Sequence, residues 1–75
     1  MKKFIIEKNQ DLELLIEDKK DLIVDILVKK QVECNLNLFI NTDFKQKINI
    51  ILEEGSILNS YNLIINSDFF DLNVS

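Results

Sequence analysis

Leu36-Asn37-Leu38-Phe39-Ile40 and Ile48-Asn49-Ile50-Ile51-Leu52 carry one pattern: apolar, polar, apolar, apolar, apolar. The same pattern recurs as Leu12-Glu13-Leu14-Leu15-Ile16, Val24-Asp25-Ile26-Leu27-Val28 and Tyr61-Asn62-Leu63-Ile64-Ile65. These units end at residues 16, 28, 40, 52 and 65, so they are spaced by 12, 12, 12 and 13 residues. A fixed internal period is the mark of a repeat architecture. Phe4-Ile5-Ile6 and Leu72-Asn73-Val74 fit as trimmed outer copies. The repeat therefore covers nearly the whole chain, and residues 1–75 form a single β-repeat domain.

The unit reads as a strand. Side chains alternate along a strand, so its first, third and fifth residues share a face. These are Leu12, Leu14, Ile16; Val24, Ile26, Val28; Leu36, Leu38, Ile40; Ile48, Ile50, Leu52; and Tyr61, Leu63, Ile65, the expected core rows. The polar second residue points outward. Ile, Val and Phe favour strands, and the lack of Ala argues against helix. Residues 10–31 also fit a helical stripe (Leu12, Leu15, Ile16, Leu22, Ile23, Ile26, Leu27) with no Gly or Pro to break it. The strand register runs through that stretch unbroken, and strand is the reading taken. The fourth residue, Leu15, Leu27, Phe39, Ile51 or Ile64, is apolar yet faces away from the core rows. Aligned, these residues make an outer apolar stripe, either curled inward at corners or meeting another subunit.

Polar corners separate the units. Ile40-Asn41-Thr42-Asp43-Phe44 and Ile65-Asn66-Ser67-Asp68-Phe69 nearly match, 25 residues apart, which is two units. The corners at Lys29-Lys30-Gln31 and Glu53-Glu54-Gly55 differ from these. Alternate corners thus resemble each other more than neighbours do. That favours a parallel solenoid with two strands per coil, its strands stacked directly on like strands in two facing sheets. An antiparallel β-meander shares the period. Its best sign, an Asn-Gly or Asp-Gly hairpin turn, is missing. Such a solenoid is expected to have two raw ends with unpaired strand edges.

Seventy-five residues make one small domain, which buries only about 60 % of its unfolded surface. One cysteine allows no internal disulfide, and the absence of histidine argues against a structural zinc site. Self-association or a partner is the remaining support for so short a chain. The net charge is −4 and all nine basic residues are lysine, which argues against nucleic acid as a partner. No apolar run exceeds three residues, so no membrane partner is expected. Met1-Lys2-Lys3-Phe4-Ile5-Ile6 opens like a signal peptide, but Glu7-Lys8-Asn9 ends the apolar stretch too early for one. A free cysteine and no cystine framework fit a reducing compartment, so a cytoplasmic protein is expected.

The run Ile48-Asn49-Ile50-Ile51-Leu52-Glu53-Glu54-Gly55-Ser56-Ile57-Leu58, a strand, an acidic-Gly corner and a strand, resembles the repeating core of the SufB/SufD proteins. Those are scaffold components of iron–sulfur cluster assembly. The resemblance is one of pattern and covers about residues 12–75. It implies a short right-handed parallel β-helix, pairing through that core, and a scaffold rather than an enzyme. That family is several times longer, uses cysteine, histidine and glutamate ligands, and carries a helical region for its ATPase partner. This chain has one Cys and no His, so no functional residue is carried over.

Few residues invite chemistry. Cys34 shares parity with Leu36 and Leu38, which places it inward as a small buried hydrophobe. No second Cys or His activates it. Asp43 and Asp68 occupy equivalent corners with Asp71 nearby, which suggests calcium, although corner Asp residues usually cap their own turns. Glu53-Glu54-Gly55 reads as a turn, and Asn73-Val74-Ser75 fits a glycosylation sequon. The expectation is a small non-enzymatic β-solenoid, a self-assembling or partner-binding scaffold with no catalytic, cofactor-binding or metal residues and no cofactor. Its partner is a second copy, as a dimer, or a related scaffold protein. The alternative is a metal- or iron–sulfur-handling protein that uses Cys34 in an oligomer.

Overall fold

The computed structural model describes residues 1–66 and 69–75, with side chains for 1–59 and 69–75. Its elements are the strands β1 (Lys2–Ile6), β2 (Gln10–Ile16), β3 (Leu22–Val28), β4 (Glu33–Asn41), β5 (Gln46–Leu52), β6 (Ile57–Asn66) and β7 (Phe70–Val74). Odd strands form one sheet in the order β1-β3-β5-β7, and even strands form another in the order β2-β4-β6. The chain thus alternates between two sheets, and every strand lies beside the strand two before it.

All the described pairs are parallel. Hairpin-connected strands must run antiparallel, so the meander reading is corrected. The helical alternative for residues 10–31 is also corrected, because β2 and β3 occupy that stretch. The apolar residues that fit a helical stripe fall on both faces of two strands instead. In those strands Leu14, Ile16, Leu22, Ile26 and Val28 point inward, while Leu15 and Ile23 stand exposed.

Register is regular from β2 onward, whereas each residue of β1 pairs 22 residues on, as Lys2 does with Val24. Gln10 pairs with Cys34, Leu22 with Gln46 and Glu33 with Ile57, each 24 residues on. One irregularity lies in β6: Leu36 pairs with Ser60 and Asn37 with Asn62, so Tyr61 is an extra residue. This bulge is the 13-residue spacing seen in the sequence. An extra residue flips the parity of every later position in its strand. Here it brings Leu63 and Ile65 opposite Leu38 and Ile40.

Even-numbered residues fill the space between the sheets. Ile6, Leu14, Ile16, Leu22, Val24, Ile26, Val28, Val32, Cys34, Leu36, Leu38, Ile40, Ile48 and Ile50 form one buried cluster, with Leu12 and Leu52 partly buried against it. Tyr61, Leu63 and Ile65, also expected in the core, lie outside the residues whose side chains are described. The outer apolar stripe takes a different form from the expected one. Ile5, Leu27 and Ile51 align across the odd-strand sheet, while Leu15 aligns with Phe39 and Ile64 across the even-strand sheet. The two sheets face each other across the core, so these are two columns on opposite outer faces.

Corners stack as well as strands. Lys29–Val32 and Glu53–Ser56 are equivalent turns, each closed by a backbone bond from its fourth N–H to its first carbonyl, at 3.2 and 3.0 Å. The third residue of each has positive φ, 59° at Gln31 and 74° at Gly55. The Gln31 N–H donates to the Glu54 carbonyl at 3.2 Å, and Lys29 Nζ lies 3.9 Å from Glu53 Oε1. Corners that look dissimilar in sequence are therefore the same turn with opposite charges.

Candidate functional site

Cys34 lies where parity placed it, fully buried in β4 between Gln10 and Leu58. Desolvation by burial, and then the Asp11 carboxylate, raise its thiol pKa above the ordinary value. Both effects keep it protonated, whereas a nucleophile or metal ligand must be the thiolate. This supports the reading of Cys34 as a packed side chain. Among the described residues no three His, Cys, Asp or Glu side chains gather at metal-binding distance. Asp71 lies within β7 opposite Lys47, away from the corner that holds Asp43. Asp68, the third member of the suggested calcium cluster, lies outside the described residues. Glu53-Glu54-Gly55 is the turn just described. At the Asn73-Val74-Ser75 sequon, Ser75 donates its N–H to the Ile50 carbonyl at 2.9 Å.

The outer faces carry an arrangement that sequence reasoning missed. Asn35 Nδ2 donates to Asp11 Oδ1 at 2.6 Å, and Asn59 Nδ2 donates to Asn35 Oδ1 at 3.1 Å. On the other sheet Asn49 Nδ2 donates to Asp25 Oδ1 at 2.9 Å, and Asn73 Nδ2 to Asn49 Oδ1 at 3.3 Å. Each sheet thus has an Asp-Asn-Asn ladder in which every amide donates toward the N-terminal end. The ladder starts with a carboxylate, which only accepts. The signal in the sequence is a 24-residue Asp-Asn-Asn recurrence, visible once the two-unit register is known.

A second polar network holds a corner. Gln46 is fully buried beneath Leu22, and its Nε2 donates to the carbonyls of Lys20 at 3.0 Å and Phe44 at 3.2 Å. Thr42 Oγ1 donates to the Asp18 carbonyl at 2.8 Å and accepts from the Phe44 N–H at 3.3 Å. These contacts tie the corner of residues 42–45 onto the corner of residues 18–21. Two open grooves of about 320 Å³ flank such corners, one lined by Asp21, Leu22, Ile23, Lys45 and Lys47, the other by Lys30, Gln31, Glu54 and Gly55. Neither gathers a cluster of catalytic side chains.

The two ends of the strand stack differ, although sequence reasoning treated them alike. At the N-terminal end, Lys2 occupies the inward column of Val24 and Ile48, and its Nζ meets Asp18 Oδ1 at 3.3 Å. Gln10 occupies the inward column of Cys34. Ile6, Leu14 and Ile16 behind them are buried. At the C-terminal end, Leu72 and Val74 continue the columns of Ile48 and Ile50. Ile48 and Ile50 are 0 % and 2 % exposed, but Leu72 is 38 % and Val74 54 % exposed. Apolar core rows therefore open to solvent at β7, beside an unpaired strand edge.

No helix among the described residues is long and apolar enough to cross a membrane. Comparisons with protein-family models, curated proteins and solved structures yield no match.

Proposed function

We propose that this chain is a right-handed β-solenoid that works as a non-enzymatic assembly module, joining a second copy or a related scaffold protein through its open end. The carrying observation is the exposure of Leu72 and Val74, apolar residues that continue the buried columns of Ile48 and Ile50. Burying such side chains is worth roughly 1.5–3 kcal/mol each, and the adjacent edge offers unsatisfied backbone groups to another strand. Right-handedness follows from the general rule for parallel strands joined by a crossover in one sheet. The likeness of the strand pattern to the iron–sulfur scaffold proteins supports the same class of role, and no cluster-binding residue enters the proposal. Cytoplasmic location is part of it, on the free cysteine alone.

Sedimentation velocity of the purified chain at micromolar concentration tests the reading. A mass above that of one chain, falling on dilution, is expected. A compact monomer across the accessible range, with no protein captured from a native lysate, overturns it.

A further inference from the structure

The open end has a specific shape, and resting on the assembly reading we infer that its occupant is the same end of a second copy, related by a two-fold axis through Leu72. β7 reads Phe70-Asp71-Leu72-Asn73-Val74. Laid antiparallel on itself about Leu72, it sets Phe70 against Val74 of the partner subunit and Asp71 against Asn73 of the partner subunit. Phe70, Leu72 and Val74 all occupy inward columns, opposite Gln46, Ile48 and Ile50. Both copies then add apolar residues to one continuous core. Asp71 and Asn73 lie on the outer face, where the pairing repeats the amide-to-carboxylate chemistry that already joins Asn49 to Asp25 at 2.9 Å.

The other end rejects this role. Stacking β1 of one copy on β7 of another sets the ion-paired Lys2 over the Leu72 column. Inward-pointing charge at a strand edge is a known guard against such growth. One end is guarded and the other is self-complementary, so assembly closes at two copies.

Sedimentation equilibrium across a concentration range is the test. A monomer–dimer equilibrium with no larger species is expected. Asn73→Asp places carboxylates opposite each other twice per dimer and is expected to weaken association about tenfold. Adding Asp71→Asn restores an amide–carboxylate pair in both places and is expected to recover the wild-type constant. A merely structural role of Asn73 toward Asn49 is lost in both variants and gives no recovery. Isotope-filtered nuclear Overhauser spectra of mixed labelled and unlabelled wild-type chains need no variant, and contacts between the Phe70 ring and the Val74 methyls across copies are expected. A dimer that ignores Asn73→Asp, lacks recovery in the double variant, or lacks those contacts overturns the two-fold pairing while assembly stands. An open-ended series of masses does the same. A monomer at all concentrations removes the two-fold pairing, and it removes the assembly reading as well when a native lysate yields no captured protein.

Discussion

Gln31 and Gly55 hold equivalent places in stacked turns, yet only one suits its backbone. A side chain in the left-handed region costs roughly 1–2 kcal/mol, and glycine avoids that cost. A Cβ added at Gly55 also lies 3.2 Å from Gln31 Cγ, closer than side chains normally approach. Gly55→Ala is therefore expected to lower unfolding free energy by about 1–2 kcal/mol. Gln31→Gly relieves strain but gives the unfolded chain more freedom, so a smaller gain of about 0.5 kcal/mol is expected. Urea titrations of both variants check the signs. The single glycine was legible in the sequence as a turn. The matching strain at Gln31 was not, because nothing in Lys29-Lys30-Gln31 marks a positive φ. Cys34 was legible, since parity alone placed it inward. Gln46 has the same parity, but an amide in a core row is readable only once the Lys20 and Phe44 carbonyls are known to face it.

At the scale of the strand, the five-residue unit marked every central segment but undersized each one. β4 begins at Glu33 and β5 at Gln46, ahead of the apolar unit, because Cys34 and Gln46 extend the inward rows beyond it, the second as an amide that does not look like core. The polar second position was read as outward. Outward holds, but Asp25, Asn49 and Asn73 also bond along the stack, as do Asp11, Asn35 and Asn59 just ahead of the unit. Asn49 is the middle rung, donating to Asp25 and accepting from Asn73. Asn49→Asp removes the donor and sets two carboxylates side by side. A loss of about 1 kcal/mol at neutral pH is expected, shrinking as the pH falls and the carboxylates protonate. Urea unfolding at pH 7 and pH 4 measures it. A loss that does not change between those pH values contradicts the ladder.

For the molecule as a whole, stability is a chain of neighbour contacts, since each strand meets only the strands beside it in its sheet and those across the core. The buried rows run deepest at β3, β4 and β5. Amide exchange is therefore expected to be slowest there and faster toward β1 and β7. Raising protein concentration is expected to slow β7 while leaving β1 unchanged, because only one end is occupied. Equal protection of β1 and β7 at every concentration contradicts this. The two-sheet parallel architecture was legible from period and from the 25-residue corner match. The inequality of the ends was not. It depends on Lys2 reaching Asp18, a contact between a strand and a corner sixteen residues on.

The 24-residue register also makes the chain extensible. A tandem duplication of residues 34–57 inserts one whole circuit and returns every later residue to its original column. Both ladders then gain an Asn between existing Asn rungs, never an Asp in the middle, so donors and acceptors still alternate. Genes that lengthen by such steps yield taller versions of the same protein with the guarded and the open faces unchanged.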